Sequence, residues 1–259
     1  IPGTPVNIQI EPNRVEIQPN QSQVLVATFV DAFDNSVDVE HVWSGLGQSG
    51  EVTPNGTFSS YATAGVYPQA LVVRGGGLEV FVDVEVIPGP VVSIHIEPEL
   101  IIATPGSTVP LSVFFKDAQG NRTSSDEPIS WGVLPNSLFS ITADGILSVD
   151  CSGSPGFYLS EVSATAGNQG AFQARADLEV RPGETTFIEI VPNRVEIQVT
   201  ESTTLTAEGK DACGYDTLAV AQWSVLEGRG SINPEGRFTA DTLAEEVTVT
   251  MRSWVGESY

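Results

Sequence analysis

Lysine is nearly absent from this chain. Of 259 residues only Lys116 and Lys210 are lysine, and 11 Lys+Arg face 33 Asp+Glu, a formal net charge of −22. A surface of that sign repels phosphate backbones and anionic headgroups, which excludes nucleic acid as an expected partner. Long apolar runs are missing too. No stretch approaches the roughly 20 residues of a membrane helix, so no membrane contact is expected of this segment. With two histidines, His41 and His95, and two cysteines, no His/Cys set has metal-ligand spacing. No G-x-S-x-G elbow, phosphate-binding glycine loop or H-E-x-x-H helix occurs, so no enzyme activity, catalytic residue or cofactor-binding residue is expected. There is no initiator Met, basic leader or apolar signal core, which reads as a mature or excised piece of a longer protein.

Proline and glycine are plentiful, at 17 and 25 residues, and few runs favour helix. That composition predicts short strands joined by turns. EPNRVEIQ at 11–18 returns as VPNRVEIQ at 191–198, 180 positions on. So literal a copy points to a repeated structural module. Three markers confirm it in register. A proline-glycine joint stands at Ile1-Pro2-Gly3, Ile87-Pro88-Gly89 and Arg181-Pro182-Gly183. An alternating strand runs into proline in VNIQIEP (6–12), VSIHIEP (92–98) and TFIEIVP (186–192). A tryptophan (Trp43, Trp131, Trp223) precedes a glycine turn, at Gly56, Gly145 and Gly236.

Within each repeat the apolar period is two, as in Val6, Ile8, Ile10 and again in Val15, Ile17. That is the pattern of strands with one buried face. About seven short strands per repeat, with one buried tryptophan on the third, describe an immunoglobulin-like β-sandwich. The fold class expected is all-β, a tandem array of three such domains. Their bounds are 1–88 (1–5 linker-like), 89–182 and 183–259. The third stops where the others continue into LEVFVDVEVIP (78–88) and AFQARADLEVRP (171–182), so it is expected to lack its last strand.

The order I-x-I-x-P, then D-A-x-[GD]-N, then V-W-S or I-S-W, then x-[NDE]-G-x-[FL] resembles bacterial immunoglobulin-like domains. These occur in invasin- and intimin-type adhesins and other prokaryotic surface proteins. The resemblance implies a structural, extracellular module of a cell-surface protein and leaves the ligand open.

Cys151 and Cys213 lie in different repeats, so neither belongs to an intradomain bridge. In a sandwich the loop between the second and third strands faces the preceding domain, and the loop before the penultimate strand faces the following one. Cys213, in KDACGY, and Cys151, in SVDCSG, therefore approach one joint from opposite sides, which predicts a disulfide and an oxidising setting. The acidic turns Asp31-Ala32-Phe33-Asp34-Asn35 and Asp117-Ala118-Gln119-Gly120-Asn121 offer Asp31, Asp34, Asn35, Asp117 and Asn121 as weak Ca²⁺ ligands. Asx-turn chemistry accounts for the same residues without a metal. Gly75-Gly76-Gly77 reads as a hairpin turn. Sequons at Asn20, Asn55 and Asn121 fall in turns.

The expected function is a stalk or spacer of an adhesin-like surface protein, its partners being further immunoglobulin-like repeats of the same polypeptide or neighbouring subunits. Two alternatives stand beside it. One is a subunit of a filament or surface layer, completed in its third domain by a strand from another chain. The other is an accessory carbohydrate-binding region of a secreted enzyme, with Tyr61, Tyr67, Phe157 and Tyr158 as the aromatic candidates; a host-cell ligand is also open.

Overall fold

The computed structural model describes residues 3–135, 137–167, 170–227, 229–241 and 247–253. Among them every regular element is a β-strand. In the first repeat these are β1 (Asn7–Glu11), β2 (Val15–Ile17), β3 (Ser22–Val24), β4 (Val26–Val30), β5 (Ser36–Val37), β6 (His41–Gly45), β7 (Gly50–Val52), β8 (Thr57–Ser60), β9 (Gly65–Gly75) and β10 (Leu78–Val86). The seven expected strands become ten because the sequence interrupts two of them and adds the two-residue β5. Pro12 separates β1 from β2, and Leu25 separates β3 from β4, each half pairing in a different sheet.

The sheets run β1-β4-β5, β3-β8-β7 and β2-β10-β9-β6. β1 lies antiparallel to β4 with Ile8 opposite Phe29. β2 lies parallel to β10, Val15 level with Val84 and Ile17 with Val86. Such a parallel first-to-last pairing is the closing contact of an immunoglobulin-like sandwich. Alternation decides the core: Ile8, Val15, Ile17, Phe29, Trp43, Phe58, Leu71, Val73, Val82, Val84 and Val86 turn inward from every sheet and form one cluster. At about 25 cal/mol per Å² of apolar surface removed from water, this burial is what holds the sheets together without an internal disulfide.

The tryptophan and the turn glycine are partners. Gly56 has φ +90°, and a Cβ there would lie 2.9 Å from Trp43 Nε1 and 2.4 Å from Leu25 O. Gly145 against Trp131 and Gly236 against Trp223 repeat the arrangement, with Nε1 at 3.0 and 3.1 Å. The ring therefore packs on turn backbone, which no side chain at that position allows. The β9–β10 hairpin turns at Gly76 and Gly77, φ 56° and 80°, as the glycine run predicts.

The second repeat has the same three sheets. Leu100–Ala103 runs parallel to Phe172–Val180, with Ile101 level with Leu178. In the third, Phe187–Val191 pairs with Thr206–Lys210, and Ser202–Thr204 with Arg237–Thr239. Its remaining sheet, among the described residues, has two strands, Ala221–Glu227 and Thr248–Ser253. The expected absence of a last strand concerns positions after Ser253, outside the described residues.

By contacts the chain divides into two compact units, Ile1–His95 with Val113–Pro128 and Ala166–Ala174, and Ile96–Ser112 with Ile129–Thr165 and Arg175–Tyr259. The division falls within the second repeat, so each joint between repeats lies inside one unit.

Candidate functional site: the joints between repeats

Each repeat begins with a proline-glycine joint and carries, 28 residues later, a buried aspartate: Asp31, Asp117 and Asp211, 4%, 3% and 5% exposed. The aspartate opens a tight turn and closes it with its own side chain. Asp31 Oδ1 accepts the N–H groups of Phe33 (2.9 Å) and Asn35 (3.0 Å). Asp117 Oδ1 accepts those of Gln119 and Asn121, and Asp211 Oδ1 those of Cys213 and Tyr215, all at 2.9 Å. The second oxygen reaches back to the joint. Asp31 Oδ2 accepts Gly3 N–H at 2.8 Å, Asp117 Oδ2 accepts Gly89 N–H at 2.8 Å, and Asp211 Oδ2 accepts Gly183 N–H at 2.9 Å. One carboxylate thus ties the linker to the turn in every repeat. Backbone donors aimed at a carboxylate favour its charged form. The Gly3 and Phe33 amides hold Asp31 down to about 2. At Asp117 burial opposes ionisation, but the Asn121 amide and the Gly89, Asn121 and Gln119 N–H groups outweigh it and hold the group to about 2. Asp211 is lowered in the same way, burial being outweighed by the Gly183, Tyr215 and Cys213 amides.

At the two joints between repeats the fourth residue after the aspartate reaches the preceding repeat. Asn121 Nδ2 bonds Asp117 Oδ2 (3.0 Å) and donates to Ala62 O at 2.8 Å, while its Oδ1 accepts Ala64 N–H at 2.9 Å. It pairs with the main chain of the first repeat as a strand would. At the next joint Tyr215 takes this place, and its hydroxyl donates to Cys151 O at 2.9 Å. Ala62 and Cys151 are equivalent positions, each six residues past the turn glycine. Here the predicted disulfide is present: Cys151 and Cys213 are joined, with Cα atoms 5.2 Å apart. The sulfurs lie over Gly106, where a Cβ would come within 3.2 Å of Cys213 Sγ.

Asp31, Asp117, Asn35 and Asn121 are therefore committed to turn and linker hydrogen bonds, and a Ca²⁺ ion would compete with N–H donors for the same carboxylate oxygens. Asp34 is an exposed turn residue at φ 60°. Among the described residues no group of three or more His, Cys, Asp or Glu is placed to hold a metal. His41 Nδ1 lies 3.0 Å from Val39 O, and His95 stacks on Phe114 at 5.1 Å. The aromatic candidates form no shared platform. Tyr67 and Tyr158 hydroxyls donate to Thr63 O and Ser154 O, Tyr158 packs edge-on against Phe139, and Tyr61 bonds Glu51. Of the sequons, Asn121 is already engaged at the joint. A groove of about 570 Å³ beside Ile10, Val66 and Phe81 has Arg14, Asp83 and Glu85 on its rim. Two of its polar contacts are internal: Arg14 pairs with Glu85, and Asp83 accepts Gln69 N–H.

The latch itself is missing from the sequence reading, which takes the aspartates as turn or metal residues. Its signal is the constant 28-residue spacing from Gly3, Gly89 and Gly183 to Asp31, Asp117 and Asp211.

No family model and no curated protein matches the chain. Among solved structures it is similar to FdeC, an Escherichia coli adhesin, at 18% identity and TM-score 0.49 over 98% of this chain and 95% of that one. It is similar to domains 5–6 of the S-layer protein SbsC at 19% and 0.29, over 68% and 98%. Protocadherin γB7 repeats EC3–6 match at 13% and 0.37, over 95% and 71%. Identity and superposition are low in all three, so the strand order and registers carry the fold, and that fold is an all-β, immunoglobulin-like one.

Proposed function

We propose that the chain is a run of three bacterial immunoglobulin-like domains, 1–88, 89–182 and 183–259, serving as a non-enzymatic stalk or spacer of an extracellular, adhesin-like protein. The observation that carries this reading is the aspartate latch, repeated at Gly3, Gly89 and Gly183 with the same atoms. A linker tied to the following domain loses the freedom a flexible tether needs, and limiting that freedom is what a spacer requires. The interdomain disulfide supports an oxidising compartment. Small-angle scattering on the whole chain tests it: Asp117→Ala together with Asp211→Ala is expected to broaden the distribution of interdomain distances. Wild-type domains that already reorient freely would sink the stalk.

A second reading, a filament or surface-layer subunit completed by strand addition, is favoured by one observation. In the third repeat residues 221–227 and 248–253 form a two-stranded sheet among the described residues, where the first repeat has four strands in the equivalent sheet. Sedimentation of this chain across a wide concentration range distinguishes the readings, since a filament subunit associates and a stalk does not.

A further inference from the structure

The leading end of the first repeat has a residue at the position that the second and third repeats use at their joints. Asn35 stands where Asn121 and Tyr215 stand, four residues after the latch aspartate. Its Nδ2 reaches both Asp31 oxygens at 3.2 Å, as Asn121 Nδ2 reaches Asp117 at 3.0 Å. In Asn121 this anchoring leaves one N–H and Oδ1 to pair with Ala62 O and Ala64 N–H. Asn35 is anchored alike and is exposed. Beside it Phe33, level with Gln119 and Cys213, is 85% exposed, and Cys213 is the residue bonded across the joint.

We propose that Phe33 and Asn35 form a docking surface for the trailing turn of another immunoglobulin-like repeat. The inference rests on the tandem-repeat reading above. The partner is defined by its main chain: a carbonyl and, two residues on, an N–H, in the turn after a strand equivalent to β8. The main-chain contact does not depend on one side chain, because the equivalent positions differ (Ala62 and Cys151) while both carbonyls are used. Phe33 covers the apolar margin of the contact. Two hydrogen bonds and one ring make a small interface, and two molecules of charge −22 repel. The surface therefore suits a tethered repeat, for which a short linker supplies a high effective concentration.

The test places a second copy of residues 1–86 directly before Ile1 of the full chain, restoring an Ile-Pro-Gly joint like Ile87-Pro88-Gly89. Ala62→Cys in the added copy and Phe33→Cys in the original are expected to form a disulfide in most molecules, read by non-reducing peptide mapping. Ala62→Cys with Gln119→Cys in the unextended chain is the internal reference, because the positions match Cys151 and Cys213. A bridge in the reference without one at Phe33 overturns the docking surface and leaves the tandem reading standing. No bridge in either overturns both. Asn35→Ala is expected to lower the yield at Phe33 several-fold, and an unchanged yield overturns recognition by the Asn35 amide.

Discussion

PNRVEIQ occurs twice, at 12–18 and 192–198, and only one copy contains a strand. In the first, Val15 and Ile17 are 0% and 6% exposed and pair with Val84 and Val86. In the other, Val195 is 42% exposed and residues 195–197 have no regular pairing. Arg14 pairs with Glu85 on the neighbouring strand and with Glu16, whereas Arg194 has Glu196 at 4.0 Å. Seven identical residues thus take two conformations. A three-residue strand has few hydrogen bonds of its own, and in the first copy the pairing with Val84–Val86 supplies the rest.

The sharpest way to break this comparison is charge insertion. Val15→Asp places an unpaired carboxylate in a closed core and is expected to cost about 3–5 kcal/mol in chemical denaturation. Val195→Asp is expected to stay within about 0.5 kcal/mol. Equal losses at the two sites would mean that residues 195–197 are buried in solution.

The two joints allow a second comparison. Replacing Cys151 and Cys213 by serine is expected to cost about 2–4 kcal/mol for a bridge spanning 62 residues. The joint between the first two repeats has the Asn121 hydrogen bonds to Ala62 and Ala64 in place of a disulfide, and Asn121→Ala is expected to cost about 1 kcal/mol. Its fingerprint is faster hydrogen exchange at the Ala64 amide, with the domain cores unchanged. Tyr215→Phe is expected to fall below that, because the disulfide still holds the turn.

The aspartate latches make stability depend on acid. Asp31 and Asp117 titrate near 2 when folded, against an ordinary value of 3.8, so they bind fewer protons folded than unfolded. Their stabilisation is therefore complete above about pH 4 and is lost as pH falls towards about 2. Denaturation midpoints measured from pH 5 to pH 2 are expected to drop across that window, and Asp117→Asn to flatten the drop. Smallest of all, Arg14→Ala on the exposed face is expected to leave the midpoint unchanged within error.

Much of the fold is legible in the residues because a strand needs only a local pattern and a turn signal. The alternation in NIQIE, the paired glycines of the β9–β10 hairpin and the recurrence of a tryptophan before a glycine turn are readable from the chain alone, whereas the packing of the ring on that glycine is not. The disulfide is readable as well, since strand direction places both cysteines at one joint. The latch escapes because it spans 28 residues, and an aspartate bonded to a distant N–H looks in sequence like one that closes its own turn.

By itself the sequence determined the period-two strands, the threefold repeat and the pairing of Cys151 with Cys213. Only the tertiary structure decided that Asp31, Asp117 and Asp211 hold the linkers, that Asn121 pairs with the backbone of the repeat before it, and that one copy of PNRVEIQ is a strand and the other is not. The reason is physical. Alternation and turn chemistry act between neighbours in the chain, whereas a hydrogen-bond acceptor or a strand edge is completed by a partner that only folding brings near.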